Sequence, residues 1–368
     1  MNIQLIEKLI NDQQIEAEIE TGITLMIKDD IFRPGTFRVH LPAPINASWL
    51  KEGQLLDSDP MFRMASVEDF PQRSVYFNEI LTENRTFSVS YAFTSRHCFL
   101  QPDIRLIDTT EQKSFKAEQI EKFNSSHHCG CESYTALPKD AVRIQDVCEE
   151  KGLPYLKEYT DILSSGAISQ YITPGKGQHI ASSNESSCTV IPKNFYTSDS
   201  MVSSSNKGSL ALSIYRYITE NFNKLGRTDH NIAFVTMCRM CGIPARWQGG
   251  WDSECIKHDW AMVHLLPYGW MNVDCCFGAE AFDLSLNISG ISLCDYFFGN
   301  LDPCIVPTAS APAADLYPAK DYERADKIFN VYGEVEMIPG KLTSDGHFDG
   351  FGLSQEDFST HITIKASA

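Results

Sequence analysis

His258 and Asp274 stand sixteen residues apart in a part of the chain that reads as two short strands. An imidazole beside a carboxylate is the base and orienter of cysteine and serine acyl transfer. The carboxylate holds one tautomer and stabilises the imidazolium that forms when the nucleophile gives up its proton. That spacing alone is weak, because most such pairs only support structure. The nucleophile has to be found among 12 cysteines. Cys238 and Cys241 form a C-x-x-C pair at the end of a predicted helix, where the dipole disfavours thiolate, so they read as packing. Cys275, next to Asp274, is expected on the opposite sheet face. Cys255, three residues before His258 in a loop, is the least unfavourable substitute.

Other groupings could hold a metal and are read otherwise. His127, His128, Cys129 and Cys131 are too close together for a tetrahedral site built from two knuckles, and an exposed loop is expected. Asp345, His347 and Asp349 lack the spacing of a full calcium loop. No metal and no cofactor is expected.

Several elements must position the His–Asp pair. In Gly226 to Trp251, GRTDHNIAFVTMCRMCGIPARWQGGW, Thr228 or Asp229 is a suitable N-cap, and Gly242 and Pro244 end the helix near Cys241. ARWQGGW then reads as a strand. In HDWAMVHLL, residues His258, Trp260, Met262 and His264 share a face; in WMNVD, Trp270, Asn272 and Asp274 share one. Direct opposition of His258 and Asp274 pairs Met262 with Trp270. A tight turn at Pro267-Tyr268-Gly269 is expected to displace the pair by about four residues, roughly 13 Å, so a bulge or a wide loop is expected.

The remaining chain suggests an α+β protein. Residues 17–105 alternate apolar and polar positions, as in RSVYFNEIL and TFSVSYAFTSRH with a turn at Asn84, and a β-sandwich-like domain follows. Residues 139–172 read as helical, and a Ser/Gly/Asn-rich excursion follows. SLALSIYRYITENF is an amphipathic helix. The expected domains are an N-terminal β-rich domain at 1–120, a helical segment and excursion at 121–205, a core at 206–290, and a C-terminal extension packing on that core at 291–368.

Composition narrows the partners. The 368 residues carry 48 acidic against 31 basic groups, a formal net charge of -17. So negative a surface repels phosphate backbones and anionic lipid, so neither nucleic acid nor membrane is an expected partner. The first residues lack a basic region and a long apolar run, so no signal peptide is expected. A cytoplasmic protein with reduced cysteines is the simplest reading.

GIPARWQGGW followed by HDWAMVHLLPYGWMNVD resembles the core of the transglutaminase-like superfamily, a branch of the papain-type cysteine acyl-transfer enzymes. The matching positions are Gly242 to Arg246, His258 with Trp260, and Gly269-Trp270 running to Asp274. Pro71 to Glu79, PQRSVYFNE, resembles the β domain that precedes this core in bacterial members, and Phe297 to Pro303, FFGNLDP, resembles their C-terminal extension. The resemblance implies a papain-like α+β core, a helix packed on an antiparallel sheet, with His258 as base and Asp274 as orienter. It also implies a nucleophilic cysteine at the start of the helix, eleven positions before a Cys-Arg pair. That pair is Cys238-Arg239, and eleven residues earlier stands Arg227. The preceding ENFNKLG is shorter than the loop that shapes the family's substrate cleft. Two functions follow as expectations. One is a catalytically inactive homologue that binds a protein or peptide in a remnant cleft. The other is an active cysteine-type amide hydrolase or acyltransferase with a relocated nucleophile. Arg227 is expected to leave the old thiol position; the acidic groups Asp229 and Asp274 could offset its charge at the helix start, or, more simply, it extends into solvent.

Overall fold

The computed structural model of the chain describes residues 1–66, 70–110, 159, 162–163, 207–241, 243–312, 314–326, 328–339 and 350–367. The helical reading at 139–172 (apart from Tyr159, Ile162 and Leu163), the Ser/Gly-rich tract, Gly242, the His127–Cys131 cluster and Asp345, His347 and Asp349 fall outside the described residues.

The chain opens with α1 (Ile3–Asp12) and continues through β1 (Gln14–Ile27), β2 (Gly35–Pro42), β3 (Leu50–Asp59), β4 (Met64–Ala65), β5 (Ser74–Leu81) and β6 (Thr86–Cys98). In β1, buried and open positions alternate as the sequence pattern demands. β5 and β6, adjacent in sequence, do not pair with each other. The turn between them is a corner where the chain crosses from one sheet to another, with Asn84 Nδ2 donating to the Ile27 carbonyl at 2.7 Å.

The core follows. It comprises α2 (Ile104–Thr109), α3 (Lys207–Asn221), α4 (His230–Met240), β7 (Ala245–Trp251), β8 (Lys257–Leu265), β9 (Gly269–Val273) and α5 (Cys275–Asp283). A small hairpin, β10 (Asn287–Ile288) and β11 (Ile291–Ser292), leads to α6 (Leu293–Tyr296), β12 (Phe298–Gly299) and β13 (Val306–Ala309). The core sheet runs β12-β9-β8-β7-β13, and each adjacent pair is antiparallel. An α+β core of helices on an antiparallel sheet is therefore the architecture, preceded by a β-rich region.

The last strands are β14 (Glu334–Pro339), β15 (Phe351–Gly352) and β16 (Phe358–Ser367). They return to the N-terminal sheets. β14 pairs with β2, and β16 pairs with β1. The resulting sheets are β16-β1-β6-β3 and β15-β14-β2-β5-β4. The N-terminal region is thus completed by the chain's last strands, whereas 297–309 lies on the core sheet. The buried apolar residues form one continuous cluster across both regions, and Trp49 meets Trp260 edge-on at 6.4 Å.

Close approach fixes one glycine of the core. A Cβ on Gly250, directly opposite His258 in the ladder, would lie 1.9 Å from the Val306 carbonyl oxygen. Any side chain there would push β13 off β7. Among the described residues, no helix is long and apolar enough to cross a membrane.

Candidate active site

His258 is the second residue of β8, and Asp274 follows the last residue of β9. The ladder pairs Ala261 with Val273 and Leu265 with Gly269, so the turn at Leu266–Tyr268 is tight and no bulge interrupts it. The expected four-residue displacement was too large. In this register position 274 faces position 260, two residues from His258, which makes the pair diagonal neighbours on one face. Diagonal neighbours lie about 7 Å apart, within side-chain reach. His258 Nε2 and Asp274 Oδ2 are 2.6 Å apart.

Asp274 has a second task. It is the N-cap of α5, and its Oδ1 accepts from Cys276 N at 3.1 Å and Phe277 N at 3.0 Å. One carboxylate therefore caps a helix with one oxygen and holds the imidazole with the other. Its backbone N–H donates to the Phe297 carbonyl at 2.9 Å, and the side chain is wholly buried. The Phe277 ring lies over His258 at 4.1 Å, nearly parallel. Burial alone would lower the His258 pKa. The adjacent Asp274, by charge and by hydrogen bond, with Asp259 and Asp252 adding to it, outweighs burial and raises the pKa to about 9.

The sign of the resulting pH dependence follows. The folded pKa lies above the unfolded value of about 6.5, so the protonated pair contributes its full stability below that pH. The contribution is lost as pH rises through about 9. Urea unfolding from about pH 6 to 10 should show the native chain's advantage over His258→Gln shrinking across that window. A constant gap would contradict the charged pair.

Arg227 does not extend into solvent; only 8% of it is exposed. It follows Gly226, a left-handed residue at φ 68° that closes the short turn Asn223–Leu225. Its guanidinium forks onto Asp229, Nε to Oδ1 at 2.9 Å and Nη2 to Oδ2 at 2.6 Å. Nη2 also donates to the Tyr159 hydroxyl at 3.1 Å, and that hydroxyl donates to Asp229 Oδ2. The cation lies over Phe222 at 4.5 Å and over Tyr159 at 5.2 Å. Burial would raise the Asp229 pKa, but hydrogen bonds from Arg227 and Tyr159 and the guanidinium charge bring it below its ordinary value.

This explains a departure at the helix start. Asp229 occupies the N-cap position of α4, but its side chain makes no capping bond. Bidentate pairing with a buried cation outweighs a cap. Fixing Arg227 at a helix N-terminus also requires an anion, because the helix dipole opposes the charge.

The described thiols in and beside the core helices and β8 are poor thiolates. Burial, rather than the helix dipole, pushes Cys238 and Cys241 upward, and Cys241 reaches about 12. Cys275 does not point from a sheet face, because it is the first residue of α5, fully buried, and its pKa is raised. Cys255 is half-buried in the turn before β8, and burial with Asp252 raises its pKa. Cys276, passed over in the sequence, is the thiol joined most directly to the pair, through its N–H on Asp274. Burial and the carboxylates of Asp259, Asp274 and Asp229 keep it protonated.

Residues 222–275 match the family model of the transglutaminase-like superfamily. A search of curated proteins found no match. Among solved structures, one from Cytophaga hutchinsonii, described as a "Putative Cysteine Protease", is similar with a TM-score of 0.39 and 12% identity. That alignment covers 96% of this chain and 91% of the other. The match at 222–275 contains α4, β7, β8 and β9 together with Arg227, His258 and Asp274, so the similarity to the transglutaminase-like superfamily is carried by this core.

Proposed function

We propose that this is a transglutaminase-like protein without acyl-transfer activity, whose core serves as a binding or scaffolding module for a protein or peptide. The observation that carries the reading is the fate of Arg227. The residue at the family's nucleophile position cannot attack an acyl carbon at neutral pH. Its guanidinium is spent on a buried bidentate pair with Asp229. The helix start that would favour a thiolate therefore holds a neutralised ion pair instead.

The alternative, an active enzyme with a relocated cysteine, would require a thiolate near His258. Among the described residues, Cys255, Cys275 and Cys276 stand closest to the pair along the chain, and the surroundings of all three favour the protonated form. Amidase and transamidase assays on glutamine-containing peptides test the proposal. The native chain and His258→Gln should be equally inactive, and both should remain folded. A rate in the native chain that His258→Gln abolishes, together with alkylation mapped to one cysteine, would refute it.

A further inference from the structure

β9 leaves the sheet after Val273 and becomes α5, so the β8–β9 ladder stops at the Ala261–Val273 pair. One step beyond the facing positions 260 and 274, the same register would bring Asp259 opposite Cys275, the residues that follow His258 and Asp274. No direct rung joins them. The side-chain amide of Asn231, in the first turn of α4, lies between. Its Nδ2 donates to the Asp259 carbonyl at 2.7 Å, and its Oδ1 accepts from Cys275 N at 2.8 Å. Nδ2 is also 3.3 Å from Cys276 Sγ. The residue is 1% exposed. The partners fix the amide's orientation, since a carbonyl needs a donor and an N–H an acceptor.

We infer that Asn231 is the positioning residue for the His258–Asp274 contact, its amide replacing the missing rung. The first N–H groups of α5 have no partner within the helix. Asp274 Oδ1 satisfies Cys276 and Phe277, and Asn231 satisfies Cys275, so all three are accounted for. Without Asn231, the Cys275 N–H is a buried orphan next to a carboxylate. Asp274 would turn toward it and away from His258. This rests on the reading that the core keeps its polar frame without its nucleophile, and it assigns the residue that holds that frame.

The test follows His258 by NMR in protein labelled at histidine, with its signal assigned through His258→Gln. Asp274 is in contact with the imidazole, and Asp259 and Asp252 act on it from further away. In Asn231→Ala and in the near-isosteric Asn231→Leu, the proton affinity of His258 should fall at least about tenfold, one pKa unit. Thr236→Val is the control. That hydroxyl, on the same helix, donates to the Ile232 carbonyl, and its loss should lower stability without moving the titration. Folded Asn231 variants whose His258 titrates within about twofold of native would overturn the inference. If neither variant folds, hydrogen exchange at the Cys275 amide of the native chain decides. Protection equal to that of core amides supports the rung, and rapid exchange overturns it. None of these readouts is an activity. An unchanged titration leaves the proposal about Arg227 standing, and an active native chain leaves this one standing.

Discussion

Arg227→Cys should create a thiol that alkylates at neutral pH about tenfold faster than the same thiol in Arg227→Cys/His258→Ala, the effect of about one pKa unit. Two features favour thiolate there. The position precedes α4, so the helix dipole acts on it. The imidazole is poised by Asp274 at 2.6 Å, with a pKa of about 9, and so carries a positive charge at neutral pH. One feature opposes thiolate, because Asp229 loses its guanidinium and becomes a nearby uncompensated carboxylate. That penalty is common to both variants, so their difference isolates the imidazole. The measurement is alkylation rate against pH. Equal, slow, high-pH profiles would mean that the geometry between helix start and imidazole has decayed, and the chain would then be a plain structural relative.

Asp229→Ala should destabilise the core by about 4 kcal/mol, within the range for breaking a buried pair by removing one partner. Both side chains are nearly inaccessible, and Arg227 would keep its charge with the Tyr159 hydroxyl as an acceptor. The companion variant Arg227→Met/Asp229→Leu removes both charges and should recover most of that loss, because an apolar pair of similar volume avoids desolvation. Urea unfolding of the three variants checks both statements. A loss under about 1 kcal/mol for Asp229→Ala would show that the guanidinium reaches water once released.

Much of this site was legible before any coordinates. The even-numbered parity of His258, Trp260, Trp270 and Asp274 placed the pair on one face, and Gly242 with Pro244 marked the end of α4. Register was harder, because the shift set by a tight turn has to be counted across two strands. The expected bulge came from counting four residues where two suffice. The burial of Arg227 was missed for a different reason. A helix-start cation beside an acidic residue two positions on reads as solvated. Only the tertiary fold brings Tyr159 and Phe222 over the guanidinium. Asn231 left no signal at all, since its role depends on where β9 stops. The pairing of β14 and β16 with β2 and β1 joins segments about three hundred residues apart, which no local pattern encodes.

Whether the native chain can form an acyl-enzyme decides the account most directly. The native chain, His258→Gln and Arg227→Cys would each be incubated with a peptide active ester, quenched in acid and weighed intact. The account predicts no acyl adduct on the native chain beyond that on His258→Gln, and a single adduct on Arg227→Cys. A stoichiometric adduct on a native cysteine, lost in His258→Gln, would contradict it and return the chain to the enzymes.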